Sequence, residues 1–206
     1  APMLAAYNSA HAFLQPAPSM PMPELRNAYA IGPIAECGQP RRAEIDRRLG
    51  LNAGDTLVLI GLGGVGARLP LEAWPELTGV RWLTPPSWSV ERPDMMSWAA
   101  LDDFSMLDLI RSCDVLFTKP GYGSFVEAAC SSVRVLFIER DDWPEEPWLG
   151  RWLLEHGNAV KIDRRQLATG ALAEPLRNLL NQPAKPAVTP TGNVDAALWL
   201  ERLMAR

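Results

Sequence analysis

Short, nearly unbroken apolar runs alternate with stretches of helical period along most of the chain. Residues 56–60, 80–84, 115–118, 133–138 and 158–162 have the continuous apolar character of strands covered on both faces, and 98–101 is a weaker run of the same kind. Helical spacing follows several of them. Residues 41–49 form a charged helix stopped by Gly50, and Ser105 caps a helix with Met106, Leu107, Leu109, Ile110 and Cys113 on its apolar side. Residues 148–155 are amphipathic and end at Gly157, and a further helix is expected over 166–180. Strands alternating with helices in this way predict an α/β fold with a doubly wound parallel sheet, in a three-layer α/β/α, Rossmann-like arrangement.

The two ends read differently. Residues 1–30 carry Pro2, Pro16, Pro18, Pro21 and Pro23, with a helix-like fragment before the apolar piece 12–14, and this proline density reads as an extended connector. Residues 182–190 are a proline-rich link to an amphipathic helix at 194–204. The expected organisation is therefore a connector over 1–30, an ordered domain over 31–182, and a link with a terminal helix over 183–206. No internal repeat is visible.

Composition narrows the function classes. The 206 residues are 48% hydrophobic and 21% charged, enough for a sizeable core in one domain with an appendage. A net charge of -4, with no run of Lys or Arg interleaved with aromatics, argues against nucleic-acid binding. Cys37, Cys113 and Cys130 are odd in number and lack metal spacing, as in a reduced, cytoplasmic protein without disulfide or zinc. A cytoplasmic location also fits the lack of a charged-then-apolar leader and of any apolar stretch of about 18 residues. His11 and His156 are too distant in sequence to suggest a ligand pair, and His156 suits a helix C-terminus.

The candidate chemistry lies in loops after the strands, where ligands bind to open α/β sheets. After the run 115–118 come Lys119, Pro120, Gly121, Tyr122 and Gly123, then an apolar helix opened by Ser124. A helix start behind two glycines offers free N–H groups and a positive dipole end to phosphate, and Lys119 adds a charge. Ser124 and Glu127 also have the spacing of a capping box, in which both would be purely structural. After the run 56–60, Gly61, Gly63 and Gly66 fit the dinucleotide fingerprint. A nicotinamide dinucleotide would also need an acidic residue about twenty positions on. The second strand instead ends in Leu83, Thr84, Pro85 and Pro86, and Pro70 and Pro75 break the helix that should follow the glycines.

Taken in order, these motifs resemble the C-terminal, donor-binding half of GT-B glycosyltransferases over about residues 31–182, most closely the MurG type that uses UDP-N-acetylglucosamine. Gly63, Gly64, Val65 and Gly66, with Ala67 and Arg68, are similar to that family's first glycine loop shortened by one residue. Leu101, Asp102 and Asp103 match the segment whose backbone meets the uracil. Lys119 through Glu127, including Gly121, Tyr122, Gly123 and Ser124, match the segment that holds diphosphate and ribose, with the acid at Glu127 accepting from the ribose hydroxyls. Where the family carries two glutamines on the donor sugar, this chain has Asp141, Asp142, Trp143, Pro144, Glu145 and Glu146. The resemblance thus places Asp142, Glu145 and Glu146 at the sugar, and implies hexosyl transfer from a nucleotide-sugar, UDP-linked, without metal or cofactor. It implies a partner as well: an N-terminal acceptor domain or separate chain supplying the general base and any membrane contact, with residues 1–30 as its tail. A non-catalytic or split-enzyme binding subunit and a sugar-nucleotide epimerase of the same fold are the alternatives.

Overall fold

The computed structural model describes residues 2–62, 69–88, 90–140 and 142–205. Its centre is a six-stranded, wholly parallel sheet built from β3 (Thr56–Gly61), β4 (Val80–Thr84), β5 (Met95–Ser97), β6 (Val115–Thr118), β7 (Arg134–Ile138) and β8 (Ala159–Ile162). The spatial order is β5-β4-β3-β6-β7-β8. The chain thus winds outward in one direction from β3 and in the other from β6, the doubly wound order whose direction switches between those two strands. Val58 pairs with Val115 and Gly61 with Thr118, so both central strands end level.

The unbroken apolar runs are explained by the two cores they serve. On one face Leu57, Leu59, Leu116, Val135 and Phe137 pack against α2 (Arg42–Leu49), α3 (Met106–Ser112), α4 (Tyr122–Cys130) and α5 (Glu146–His156) through Ile45, Leu109, Phe125, Leu149 and their neighbours. On the other, Val58, Ile60, Trp82, Val115 and Phe117 meet a 3-10 turn (Leu71–Ala73), α6 (Arg164–Thr169) and α7 (Ala173–Leu180). Trp74, Trp82 and Phe117 meet edge-on there, with ring centroids 5.2 to 6.2 Å apart. Cys113 and Cys130 are buried, as the apolar pattern around them implies.

Three expectations are corrected. Residues 98–101 are a 3-10 turn with Ser97 as its cap, and the strand is the preceding Met95–Ser97. The single helix expected over 166–180 is two, because Gly170 sits at φ 66° as a left-handed cap. A Cβ on Gly170 would lie 2.6 Å from the Trp74 ring, so glycine is also required by packing. The stretch 1–30 is more than an extended connector. It forms α1 (Pro2–Ser9), β1 (Phe13–Pro16) and β2 (Ala28–Ile31), the two strands pairing in parallel as a small separate sheet.

The terminal helix α8 (Gly192–Met204) packs on that small sheet, with the rings of Tyr29 and Trp199 5.7 Å apart. It buries none of its apolar side chains, and Val194, Leu198, Leu200 and Met204 stay exposed, so it adds nothing to the central core. The proline-rich link before it is anchored instead of free: Val188 donates to the carbonyl of Ala129 and Lys185 caps the last carbonyls of α5. Among the described residues no helix is long and apolar enough to cross a membrane.

Candidate functional site

Because every central strand runs the same way, the loops after all six open on one edge, and the crevice between β3 and β6 is where two of them diverge. Thr118, fully buried at the end of β6, donates from its hydroxyl to the carbonyl of Gly61 at 2.6 Å and locks the two strand ends together. This threonine belongs to no sequence motif. Its place in an apolar run, where a hydroxyl demands a partner, was the available signal.

From that lock the chain passes through Lys119 and Pro120 to Gly121, the N-cap of α4, whose extended backbone carries no capping side chain. The first turn of α4 thus presents its N–H groups and positive dipole end toward the crevice, without a protein acceptor among the described residues. The helix begins at Tyr122, two residues earlier than Ser124, and the capping box expected of Ser124 and Glu127 does not form. With its cap role removed, Glu127 has another geometry. Its side chain folds back along the helix toward Gly123, where a Cβ would lie 3.5 Å from its Oε1. The half-buried carboxylate finds no hydrogen-bond or ion-pair partner among the described residues, and its pKa is raised, first by burial and then by the charge of Glu36. A carboxylate without a partner among the described residues, partly desolvated beside a helix N-terminus, can accept hydrogen bonds. Lys119 is also without an ion-pair partner among the described residues.

The remaining candidates are less uniform. Gly63, Gly64, Val65 and Gly66 lie outside the described residues. After β3 the next described helical element is the 3-10 turn Leu71–Ala73, and β4 ends in buried Thr84, with no carboxylate for a dinucleotide ribose. Leu101 follows the edge strand β5 with its side chain buried in the core and its carbonyl accepting from Phe104 N–H at 3.0 Å. Asp103 is held by Arg41 at 2.6 Å and Arg48 at 2.5 Å, with Arg41 lying over the Phe104 ring at 3.5 Å. Beyond β7, Asp142 is exposed and paired with Arg140, while Glu146 begins α5 with Oε1 3.9 Å from Lys161 Nζ, which in turn contacts Glu139 at 3.0 Å. Glu145 precedes that helix and caps nothing. The structure therefore brings Lys119, the α4 start and Glu127 together at the switch point, and sets Leu101 and the acidic loop on the same sheet edge to either side. Among the described residues no three His, Cys, Asp or Glu are grouped to hold a metal ion.

The Arg41 and Arg48 contacts bring the Asp103 carboxyl down to about 2, Arg41 contributing most. A folded value below the unfolded one, about 3.9, means that the interaction is fully present above pH ~4 and is lost as pH falls through about 2. Thermal melts from about pH 5 to about pH 2 should show an acid-side loss of Tm that is smaller in Asp103→Asn than in the parent. Equal losses in both proteins would mean that this pair does not differ between folded and unfolded chains.

No family model matches the chain. It is 29% identical over 153 residues to an L-arabinokinase of Arabidopsis thaliana, a match covering 73% of this chain and 14% of that protein. Among solved structures it is similar to the spinosyn forosaminyltransferase SpnP, with a TM-score of 0.61 at 16% identity, covering 96% of this chain and 56% of that one. It is also similar to the glycotransferase of kitacinnamycin, with a TM-score of 0.54 at 18% identity, covering 77% of this chain and 42% of that one. The chain thus spans about half the length of the solved transferases it matches. Its six parallel strands, wound in both directions and flanked by helices, have the α/β Rossmann-like fold of a GT-B domain.

Proposed function

We propose that the chain is the donor-binding, C-terminal half of a glycosyltransferase of the MurG kind, holding a UDP-linked hexose for transfer to an acceptor hydroxyl. The observation that carries this reading is the start of α4 at the switch point, with no capping side chain, flanked by Lys119 and by Glu127, which has no partner among the described residues. A diphosphate placed there receives the N–H groups of the first helical turn and the Lys119 charge, and the ribose diol donates to Glu127. Gly63, Gly64, Val65 and Gly66 are assigned to the phosphates as well, and the backbone at Leu101 to the base. In the reaction the anomeric C–O bond to the diphosphate breaks as the acceptor oxygen attacks. The negative charge that builds on the leaving diphosphate is met by groups already oriented toward it. The acceptor proton is assigned to a base on the second half, an acceptor-binding domain or partner chain, and no side chain among the described residues is assigned that role. Neither a cofactor nor a metal is assigned a role, and the cytoplasm is the proposed location.

Calorimetric titration with UDP, GDP, ADP and dTDP tests the reading. The expected result is saturable binding with UDP strongest, and binding of none of the four would overturn it. A second reading, a nucleotide-sugar-binding module with no transfer of its own, is favoured by one observation. The matched stretch makes up only 14% of a protein named for a kinase activity.

Glu145 and Glu146 extend the proposal to the sugar. Glu145 precedes α5 and Glu146 opens it, after the loop that leaves the carboxyl end of β7 on the sheet edge that bears the α4 start, and the Glu145 side chain has no partner among the described residues. Carboxylates accept from sugar hydroxyls and stabilise developing positive charge at an anomeric carbon better than neutral amides do. Changing both to glutamine should therefore weaken a UDP-sugar relative to UDP, or shift sugar preference, while leaving the UDP dissociation constant almost unchanged. An unchanged ratio with unchanged preference would make this loop a solvated turn.

A further inference from the structure

The side chain of Tyr122 joins two parts of the molecule that otherwise have separate cores. Its ring packs against the central core and its hydroxyl reaches out of it, donating to the carbonyl of Ala17 at 3.1 Å and accepting from the Ile34 N–H at 3.0 Å. Ala17 directly follows β1, and Ile34 lies three residues beyond the end of β2. The same short stretch after β2 also receives α8. Gly32 N–H donates to Asp195 at 2.8 Å, and Gly192 N–H donates to the carbonyl of Pro33 at 2.9 Å. Both chain crossings of the small sheet, with its helix, therefore converge on one phenol. That phenol belongs to the first residue of α4, whose own backbone N–H is among those facing the crevice.

We propose that Tyr122 is a positioning residue that couples the setting of the unit formed by β1, β2 and α8 to the nucleotide-facing end of α4. The coupling follows from geometry. A tyrosine has only two side-chain torsions, and here the ring is gripped by the core while a single hydroxyl uses one donor and one acceptor function on two different segments. A shift of the small unit must then either break those bonds or carry the first turn of α4 with it. A ligand that holds that turn must conversely restrain residues 17 and 34, since coupling between sites is reciprocal. The ligand side of this inference rests on the proposed donor site, in which a diphosphate occupies the α4 start. The β1–β2–α8 side does not.

Tyr122→Phe keeps the ring in the core and removes both hydrogen bonds. Hydrogen exchange without nucleotide is the first readout. A local role would accelerate only the Ile34 amide, which loses its acceptor. Coupling predicts that the amides of Phe125 and Val126, the first bonded ones of α4, exchange faster as well, by about three- to tenfold, the effect of about one neutral hydrogen bond passed on to the helix. With UDP added, the parent should gain protection over 28–34 as well as in α4, whereas the variant should gain it in α4 alone and bind UDP about three- to tenfold more weakly. Unchanged exchange at Phe125 and Val126, or equal UDP-induced protection over 28–34 in both proteins, would overturn the proposal. If UDP fails to bind the parent, the donor-site reading fails by itself, and the nucleotide-free exchange still decides the role of Tyr122.

Discussion

Glu127→Gln should weaken UDP binding at least tenfold while leaving the free protein as stable as its parent or more so. The two effects have one cause. The carboxylate is half-buried, lacks a partner among the described residues and titrates above its ordinary range because burial and Glu36 disfavour its charge. Sign follows from that: a carboxylate whose folded pKa is raised costs stability once pH exceeds its unfolded value, so an uncharged isostere relieves the cost near neutrality. What Gln cannot replace is a charged acceptor for a ribose diol, a contact of about 1.5–3 kcal/mol. A residue kept for fold alone would show the opposite pattern, a lower Tm with intact affinity. Titration calorimetry and a thermal melt on the same variant separate the cases.

Phe137→Ala should lower the stability of the domain by about 3–5 kcal/mol, a large share of the roughly 5–15 kcal/mol typical of a folded domain. Phe137 is completely buried on β7. Its ring lies 5.1 Å from that of Phe125 on α4, and it sits 3.7 Å from where a Cβ on Gly150 of α5 would be. Truncation leaves a cavity between two helices on the same face of the sheet, with rigid walls of β-strand that collapse little. The check is a chemical-denaturation midpoint with unchanged slope. A loss below about 1 kcal/mol would show that α4 and α5 can close over the gap. Because Phe125 seats α4, the variant should also bind UDP less well in its folded form.

Much of this architecture was legible because buried parallel strands impose continuous apolar runs. The runs near 57, 82, 116, 136 and 160 all became central strands, and their alternation with helices implied the sheet's double winding. The weak run at 98–101 misled because Trp98 and Leu101 are apolar for a different reason, being a turn that drops side chains onto α2 and the core. The helix expected over 166–180 hid a break because Gly170 reads as tolerable in a helix until its contact with Trp74, 96 residues earlier in the chain, is known. Proline content suggested extension for residues 1–30, yet it could not report the pairing of Phe13–Pro16 with Ala28–Ile31, a long-range fact.

At the site, the loop after β6 was visible as glycine, lysine and an acid at fixed spacing, since each residue type there has a local physical reason. The capping box was equally visible and did not form, because Gly121 took the cap position three residues before Ser124. The contributions of Thr118, Glu36 and the Tyr122 hydroxyl depend on partners in other strands and segments, and no local pattern announces them.

The most direct test of the central claim is a crystal structure of the chain with UDP bound. Diphosphate oxygens are expected within hydrogen-bond reach of the backbone N–H groups at 122–124, with Lys119 beside them and both ribose hydroxyls on the carboxylate of Glu127. UDP found away from the carboxyl edge of the sheet, for example in the cavity at its opposite edge lined by Thr56, Gly79 and Arg177, with Glu127 still unengaged, would contradict it.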